Sequence, residues 1–245
     1  LLSSYISFLK EEDIEIQTDP THQISIIQGL SDTKIKGISF DEYPLIPKIE
    51  KEEEIEISAN ELKSLISQVV FATSTNPSRL ILMGVLMEIV DDEMNLVATD
   101  SYRLAERKYK IKSKVANKIK VVVPAKTLTE VSKIVSGESM VKILFSKNQI
   151  VFEWENVKLI SRLIEGNFPE YKAIIPNSSN VKVEIDKNEF LGSLRKLSIF
   201  AAEKNGSIHM SATNDGLLNL FTEKTQIGES HEKIQAVVDG ANTKV

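Results

Sequence analysis

Cysteine is absent from this 245-residue chain. That excludes disulfides and thiolate-held zinc, and it fits a reducing compartment. Histidine is almost absent: His22, His209 and His231 are scattered, leaving little material for a histidine-centred triad or a histidine metal cluster. None of the ten glycines falls in a G-x-G or phosphate-loop pattern, which argues against a nucleotide-binding fold. No apolar run approaches the roughly 20 residues that a membrane span needs. No basic-then-apolar signal segment opens the chain. Asp91-Asp92 has the character of a turn, and Asp100 beside Arg103 that of an ion pair closing a strand end. The expectations are therefore no catalytic residue, no cofactor, no metal, no membrane, and a cytoplasmic location.

The chain otherwise has an ordinary soluble mixture, 42% hydrophobic and 27% charged. The net charge of -5 argues against a uniformly basic coat for nucleic acid. It leaves room for one basic face on an acidic body. Leu1-Leu2 opens without methionine inside a helical pattern, and no closing element marks Asn242-Thr243-Lys244-Val245, so a piece of a longer chain is expected.

Taken in order, residues 1–12 carry a helical apolar face, and alternating runs at 14–16, 24–26 and 33–39 predict strands. Residues 40–47, with Pro44 and Pro47, predict an extended exit, followed by a charged linker over 48–54. After a short strand at 55–58, Ser58 and Glu61 stand in capping-box spacing before a helix with the stripe Leu62, Leu65, Ile66, Val69 and Val70. Residues 80–99 predict a hairpin around Asp91-Asp92-Glu93, ending in the polar group Thr99-Asp-Ser-Tyr-Arg103. A basic stretch (110–120), a strand closed by Pro124, a helix over 125–135 with Leu128, Val131 and Ile134, and strands at 141–145, 150–154 and 157–163 follow. Residues 167–176 are a second proline-bounded exit. Then come a strand at 181–185, a helix capped by Asp186, and a hairpin joining 207–212 to 217–221.

Parts of this order repeat. Ile55-Glu-Ile-Ser-Ala-Asn-Glu61 corresponds to Val183-Glu-Ile-Asp-Lys-Asn-Glu189, an offset of 128 residues, about one domain. The segment 35–47 has the pattern of 160–176, strand and then a proline exit. Three domains are expected: the C-terminal half of one copy (1–50), a complete copy (51–178) and the N-terminal part of another (179–245). The class is α+β, tandem copies side by side with helices lining one face and antiparallel sheets the other. Cations on the helix faces, Lys63, Lys126, Lys133, Arg195 and Lys196, would then meet phosphate without reading sequence. The plainer alternative for each is a solvated helix surface.

Leu96-Val-Ala-Thr-Asp-Ser-Tyr-Arg-Leu-Ala105 closely resembles the signature of the bacterial sliding clamps, the beta subunits of DNA polymerase III. Arg79-Leu-Ile-Leu-Met-Gly-Val85, Val123-Pro-Ala-Lys126, Gly166-Asn-Phe-Pro-Glu-Tyr-Lys-Ala-Ile-Ile-Pro176 and Asp41-Glu-Tyr-Pro-Leu-Ile-Pro47 stand where that family has its motifs. The resemblance implies a non-catalytic processivity factor that forms a homodimeric ring around duplex DNA when full length. It implies partners that dock by linear peptides: the polymerase III alpha subunit, the clamp loader and repair polymerases. The implied peptide cleft uses Leu82, Thr99, Ser101, Tyr102, Arg103, Leu104, Pro169, Ala173 and Ile174. The implied DNA-facing set is Lys63, Arg79, Lys126, Lys133, Arg195 and Lys196. Two departures bear on the cleft: many relatives have Gly-His where this chain has Ser101-Tyr102, and some have Arg where it has Ala173. The family's remaining portion, including its C-terminal tail and most of the far wall of the cleft, lies beyond residue 245. The competing reading is a peptide-binding scaffold that does not encircle DNA.

Overall fold

The computed structural model describes residues 1–10, 13–42, 52–112, 114–202, 206–213, 215–240 and the backbone of 243–244. Tyr43 to Pro47 of the first exit and most of the linker after it lie outside these residues. The chain divides into two compact units, Leu1–Phe168 and Pro169–Val245.

The first unit opens with α1 (Leu2–Ile6) and an antiparallel meander of β1 (Glu15–Thr18), β2 (Gln23–Gln28) and β3 (Ser31–Lys36). The helix expected over 1–12 is thus only five residues long, little more than one turn. Leu1 supplies no capping side chain, and Ser7 bonds back to the Ser4 carbonyl at 2.8 Å. Such serine bonds compete with helix propagation. Tyr5 ties the helix to β3 through a 2.6 Å hydroxyl pair with Thr33.

The rest of the first unit is built from two halves of identical order. One half is β4 (Glu53–Ser58), α2 (Ala59–Ser67), β5 (Gly84–Val90), β6 (Glu93–Thr99) and β7 (Leu104–Lys110). The other is β8 (Ile119–Pro124), α3 (Ala125–Ile134), β9 (Met140–Phe145), β10 (Gln149–Trp154) and β11 (Val157–Arg162). The sheets run β7-β6-β5-β8 and β11-β10-β9-β4, so each half donates its first strand to the sheet of the other. The alternation of β4 places Ile55 and Ile57 in the core and Glu54 and Glu56 outside it. Helices α2 and α3 bury Leu62, Leu65, Ile66, Leu128 and Val131 against Met87, Leu96, Ile143 and Phe152. Ser58 closes the N-terminus of α2 as its spacing implies, accepting from the Glu61 N–H at 3.3 Å and donating to the Glu61 carboxylate at 2.7 Å.

Two details depart from the pattern reading. The first hairpin strand starts at Gly84, because residues Pro77–Met83 wind in 3-10 turns. Asn76 caps that segment by accepting from the Ser78 N–H at 3.0 Å, and Pro77 needs no N–H there. Ile134 is 49% exposed, since α3 ends before its third apolar position reaches the core. Gly84 itself is forced: a Cβ there would stand 2.6 Å from Val122 and 2.8 Å from the Val123 carbonyl.

The second unit holds β12 (Val181–Ile185), α4 (Lys187–Ala201), β13 (His209–Thr213), β14 (Leu217–Phe221), β15 (His231–Gly240) and β16 (Thr243–Lys244), in the sheet order β12-β15-β14-β13-β16. Its core is small: Leu197 of α4 lies on Ala212, Leu218, Leu220 and Ile234. Asp186 caps α4 with two 2.9 Å bonds from the Asn188 and Glu189 N–H groups. Strand β15 has no clear signal in the sequence, because only Ile234 among its ten residues is fully buried.

Candidate functional site

The polar group after β6 folds into a tight lip between β6 and β7. Register pairs Thr99 with Leu104, which leaves residues 100–103 to turn the chain. Asp100 organises the turn. Its Oδ1 accepts from the Tyr102 and Arg103 N–H groups, both at 2.9 Å, and its Oδ2 from Arg103 Nε at 3.1 Å. Those two N–H groups, Arg103 first, and then the guanidinium hold the Asp100 carboxyl below its ordinary range. Asp100 is thereby a charged structural acceptor, in keeping with the ion pair expected from its spacing to Arg103. Buried Thr99 adds a bond from Oγ1 to the Arg103 carbonyl at 2.8 Å and accepts from the Ser101 N–H at 3.1 Å.

Ser101 sits at φ 80°, the left-handed region that costs an L-residue about 1–2 kcal/mol. A glycine would hold this φ freely. The serine is held by Thr99 and by Arg79, whose Nη1 donates to Ser101 Oγ at 2.8 Å. Tyr102 at the tip is 97% exposed. The Arg103 guanidinium lies over the ring of Phe71, 5.6 Å from its centroid, and Phe71 belongs to the 3-10 turn Val70–Ala72 that follows α2. Leu82 is buried at the end of the 3-10 segment and Leu104 is half-buried at the start of β7.

The structure therefore gathers Thr99, Ser101, Tyr102, Arg103 and Leu104 into one element. It adds two residues to the lip. Arg79 stands in the implied DNA-facing set, and Phe71 in neither implied set. Neither is readable from spacing, since Arg79 and Ser101 are 22 residues apart. An aromatic residue left over where the stripe of α2 breaks is the only hint of Phe71. Pro169, Ala173 and Ile174 are exposed on the exit segment of the second unit, around the 3-10 turn Tyr171–Ile174.

The helix cations divide into two groups. Lys133 is paired with Glu130 at 3.0 Å, and Lys196 with Glu232. Lys63, Lys126 and Arg195 are exposed, and among the described residues no acid pairs with them. Also among the described residues, no group of histidine and carboxylate side chains could hold a metal ion, and no helix is long and apolar enough to cross a membrane.

The fold has counterparts. The sequence model of the DNA polymerase III beta subunit central domain matches residues 56–170, and that of the C-terminal domain of the same subunit matches 172–245. The chain belongs to the DNA polymerase III beta subunit family. The beta sliding clamp of Staphylococcus aureus is 34% identical over 242 residues, which is 98% of this chain and 64% of that protein. The chain thus spans about 64% of the length of the curated relatives it matches. The sliding clamp of Bacillus subtilis has a TM-score of 0.88 at 33% identity, over 99% of this chain and 65% of that one. A putative DNA polymerase III beta subunit from Eubacterium rectale has a TM-score of 0.87 at 32% identity, over 100% and 67%. The α+β clamp fold, with tandem helix-and-sheet units, is therefore the fold of this chain.

Proposed function

We propose that this chain works as part of a DNA polymerase processivity factor, a sliding clamp that encircles duplex DNA and tethers polymerases through a peptide-binding cleft. The observation that carries the reading is the match of two successive clamp domains along one continuous chain, on a fold shared with named sliding clamps. In this reading the chain holds the end of a first clamp domain over 1–50, a whole second over 51–178, and the start of a third over 179–245. Its work is to raise the effective concentration of a partner near the template, and it includes no catalytic step.

In this reading Lys63, Lys126 and Arg195 are the cations free to meet phosphate, so contact with DNA is blind to sequence and weakens with salt. Lys133 and Lys196 must first leave their carboxylates. Arg79 serves the lip, holding Ser101. The docking surface of the first unit takes an extended peptide: Leu82 and Leu104 receive its apolar side chains, while Thr99, Ser101, Tyr102 and Arg103 border them; Pro169, Ala173 and Ile174 are the peptide-contacting candidates of the second unit's exit segment. The natural partners are the polymerase III alpha subunit, the clamp loader and repair polymerases, with a second copy closing the ring in the cytoplasm.

The test is topological. Protein carrying this chain, loaded on nicked circular duplex, is expected to stay bound through a high-salt wash and to leave when the circle is cut. Equal retention on circular and linear DNA would refute encirclement and favour a scaffold that only binds peptides.

A further inference from the structure

We propose that Phe71 is a positioning residue for the lip, acting through Arg103. This rests on the peptide-docking reading above and deepens it. Arg103 is 58% exposed in its side chain, and a long exposed arginine ordinarily samples many rotamers. Here its guanidinium is held from two directions. Asp100 Oδ2 takes the Nε–H at 3.1 Å, and the Phe71 ring lies against the guanidinium at 5.6 Å. Asp100 is itself fixed by two backbone N–H groups, so the carboxylate end of the clamp does not move.

One nitrogen is consumed in this arrangement and the other two are not. Among the described residues neither η nitrogen of Arg103 has a hydrogen-bond partner, and their N–H groups form a planar donor fork. A fork of that kind matches the oxygen acceptors of an extended peptide. The residues that build the lip, Arg79 and 99–104, carry two guanidinium groups and one carboxylate, so their balance favours an electron-rich partner. Phe71 is 56% exposed, more than an apolar ring needs to be for fold stability alone. Its contribution is to remove the rotational freedom of Arg103 before a peptide arrives.

Phe71→Leu keeps an apolar group of similar size at an exposed position, and Phe71→Tyr keeps the ring. By nitrogen-15 NMR, the Arg103 Nε–H of the unsubstituted chain is expected to be protected from solvent exchange. Phe71→Leu should speed that exchange about threefold, with Phe71→Tyr restoring protection. Unchanged exchange in Phe71→Leu would overturn the positioning role, whatever the peptide does. The second arm is a double-mutant cycle read with a fluorescent linear peptide bearing leucine and phenylalanine anchors. Phe71→Leu should weaken it about threefold in the parent chain and not at all in an Arg103→Ala background. An equal loss in both backgrounds would make Phe71 a direct contact and overturn action through Arg103. If the parent chain fails to bind the peptide while the NMR arm holds, the docking reading fails and the positioning of Arg103 stands.

Discussion

The strand-helix motif β4–α2 of the first unit and its counterpart β12–α4 of the second are nearly the same in sequence and different in what they pair with. β4 runs Ile-Glu-Ile-Ser into α2 and lies on β9 of the opposite half, with Ile55 facing Ile143. β12 runs Val-Glu-Ile-Asp into α4 and lies on β15 of its own half, with Val183 facing Val238. Ser58, the last residue of β4, caps α2; Asp186, the residue after β12, caps α4; and both strands alternate in the same sense. Capping and alternation are local, and they follow the local sequence. The choice of partner edge is not local: an alternating strand satisfies its N–H and C=O groups on any antiparallel edge of suitable register. The two cores differ accordingly. Among the described residues that of the first unit joins 27 buried residues from both halves, and that of the second joins five.

The largest effect that should separate the units comes from truncating their equivalent leucines. Leu62 of α2 and Leu197 of α4 are both fully buried. Leu→Ala in a core costs about 2–5 kcal/mol, more where neighbours cannot collapse into the space. Leu62→Ala should lower the stability of the first unit by about 3 kcal/mol and leave it folded, because many contacts remain. Leu197→Ala removes a similar amount from a far smaller core, and the second unit should lose amide protection along β13 and β14 while β5 and β6 keep theirs. Hydrogen exchange on the two variants checks this. Loss of protection in both units with either variant would mean that they unfold as one.

How much of this was legible without coordinates follows the same division. Ser58 with Glu61, and Asp186 with Glu189, mark both helix starts correctly, since a cap is settled within four residues. The alternation at β9 and β10 is legible because one face is apolar. β15 gives a weak signal because a charged residue, Glu232, stands on its inward face and an apolar one, Val237, is exposed on the other. At the site, the turn around Asp100 is readable from its own residues. Phe71 beneath Arg103 and Arg79 on Ser101 are not, because such meetings are made by the packing of the 3-10 segments against the hairpin end. The exchange of β4 and β8 between the two sheets is likewise invisible in a pattern that looks the same on either edge.

The caps offer a finer comparison. Asp186 accepts two N–H groups at 2.9 Å, whereas Ser58 accepts one at 3.3 Å. Losing a cap costs about 1 kcal/mol, toward 2 where it is well formed and charged at a helix N-terminus. Asp186→Ala is expected to destabilise the second unit by more than Ser58→Ala destabilises the first, by several tenths of a kcal/mol. Because the second unit is smaller, a given loss of free energy should lower its melting temperature further than in the first. Chemical denaturation followed by unit-specific probes measures both. Equal losses would show that the Ser58–Glu61 side-chain bond compensates for the weaker backbone contact.

The smallest effect concerns a contact within the first unit. Glu61 at the start of α2 and Tyr109 of β7 shift each other's titration. The Tyr109 hydroxyl first, then Ser58, holds the Glu61 carboxyl below its ordinary 4.5. Burial first, then Glu61, pushes the Tyr109 phenol from 10.0 up to about 12. The signs follow from linkage. A carboxyl with a lowered value in the fold adds stability that is present above 4.5 and is lost as pH falls through the folded value. A phenol with a raised value adds stability that is present below 10.0 and is lost as pH rises toward about 12. Glu61 is exposed, so solvent screening keeps the whole contribution under about 1 kcal/mol. Tyr109→Phe should therefore lower the melting temperature slightly and evenly between those limits, and the gap from the parent chain should close on both the acid and the alkaline side. A gap that stayed constant through pH 11 would mean that the ring's packing, and not its electrostatic coupling to Glu61, is what the hydroxyl's removal disturbs.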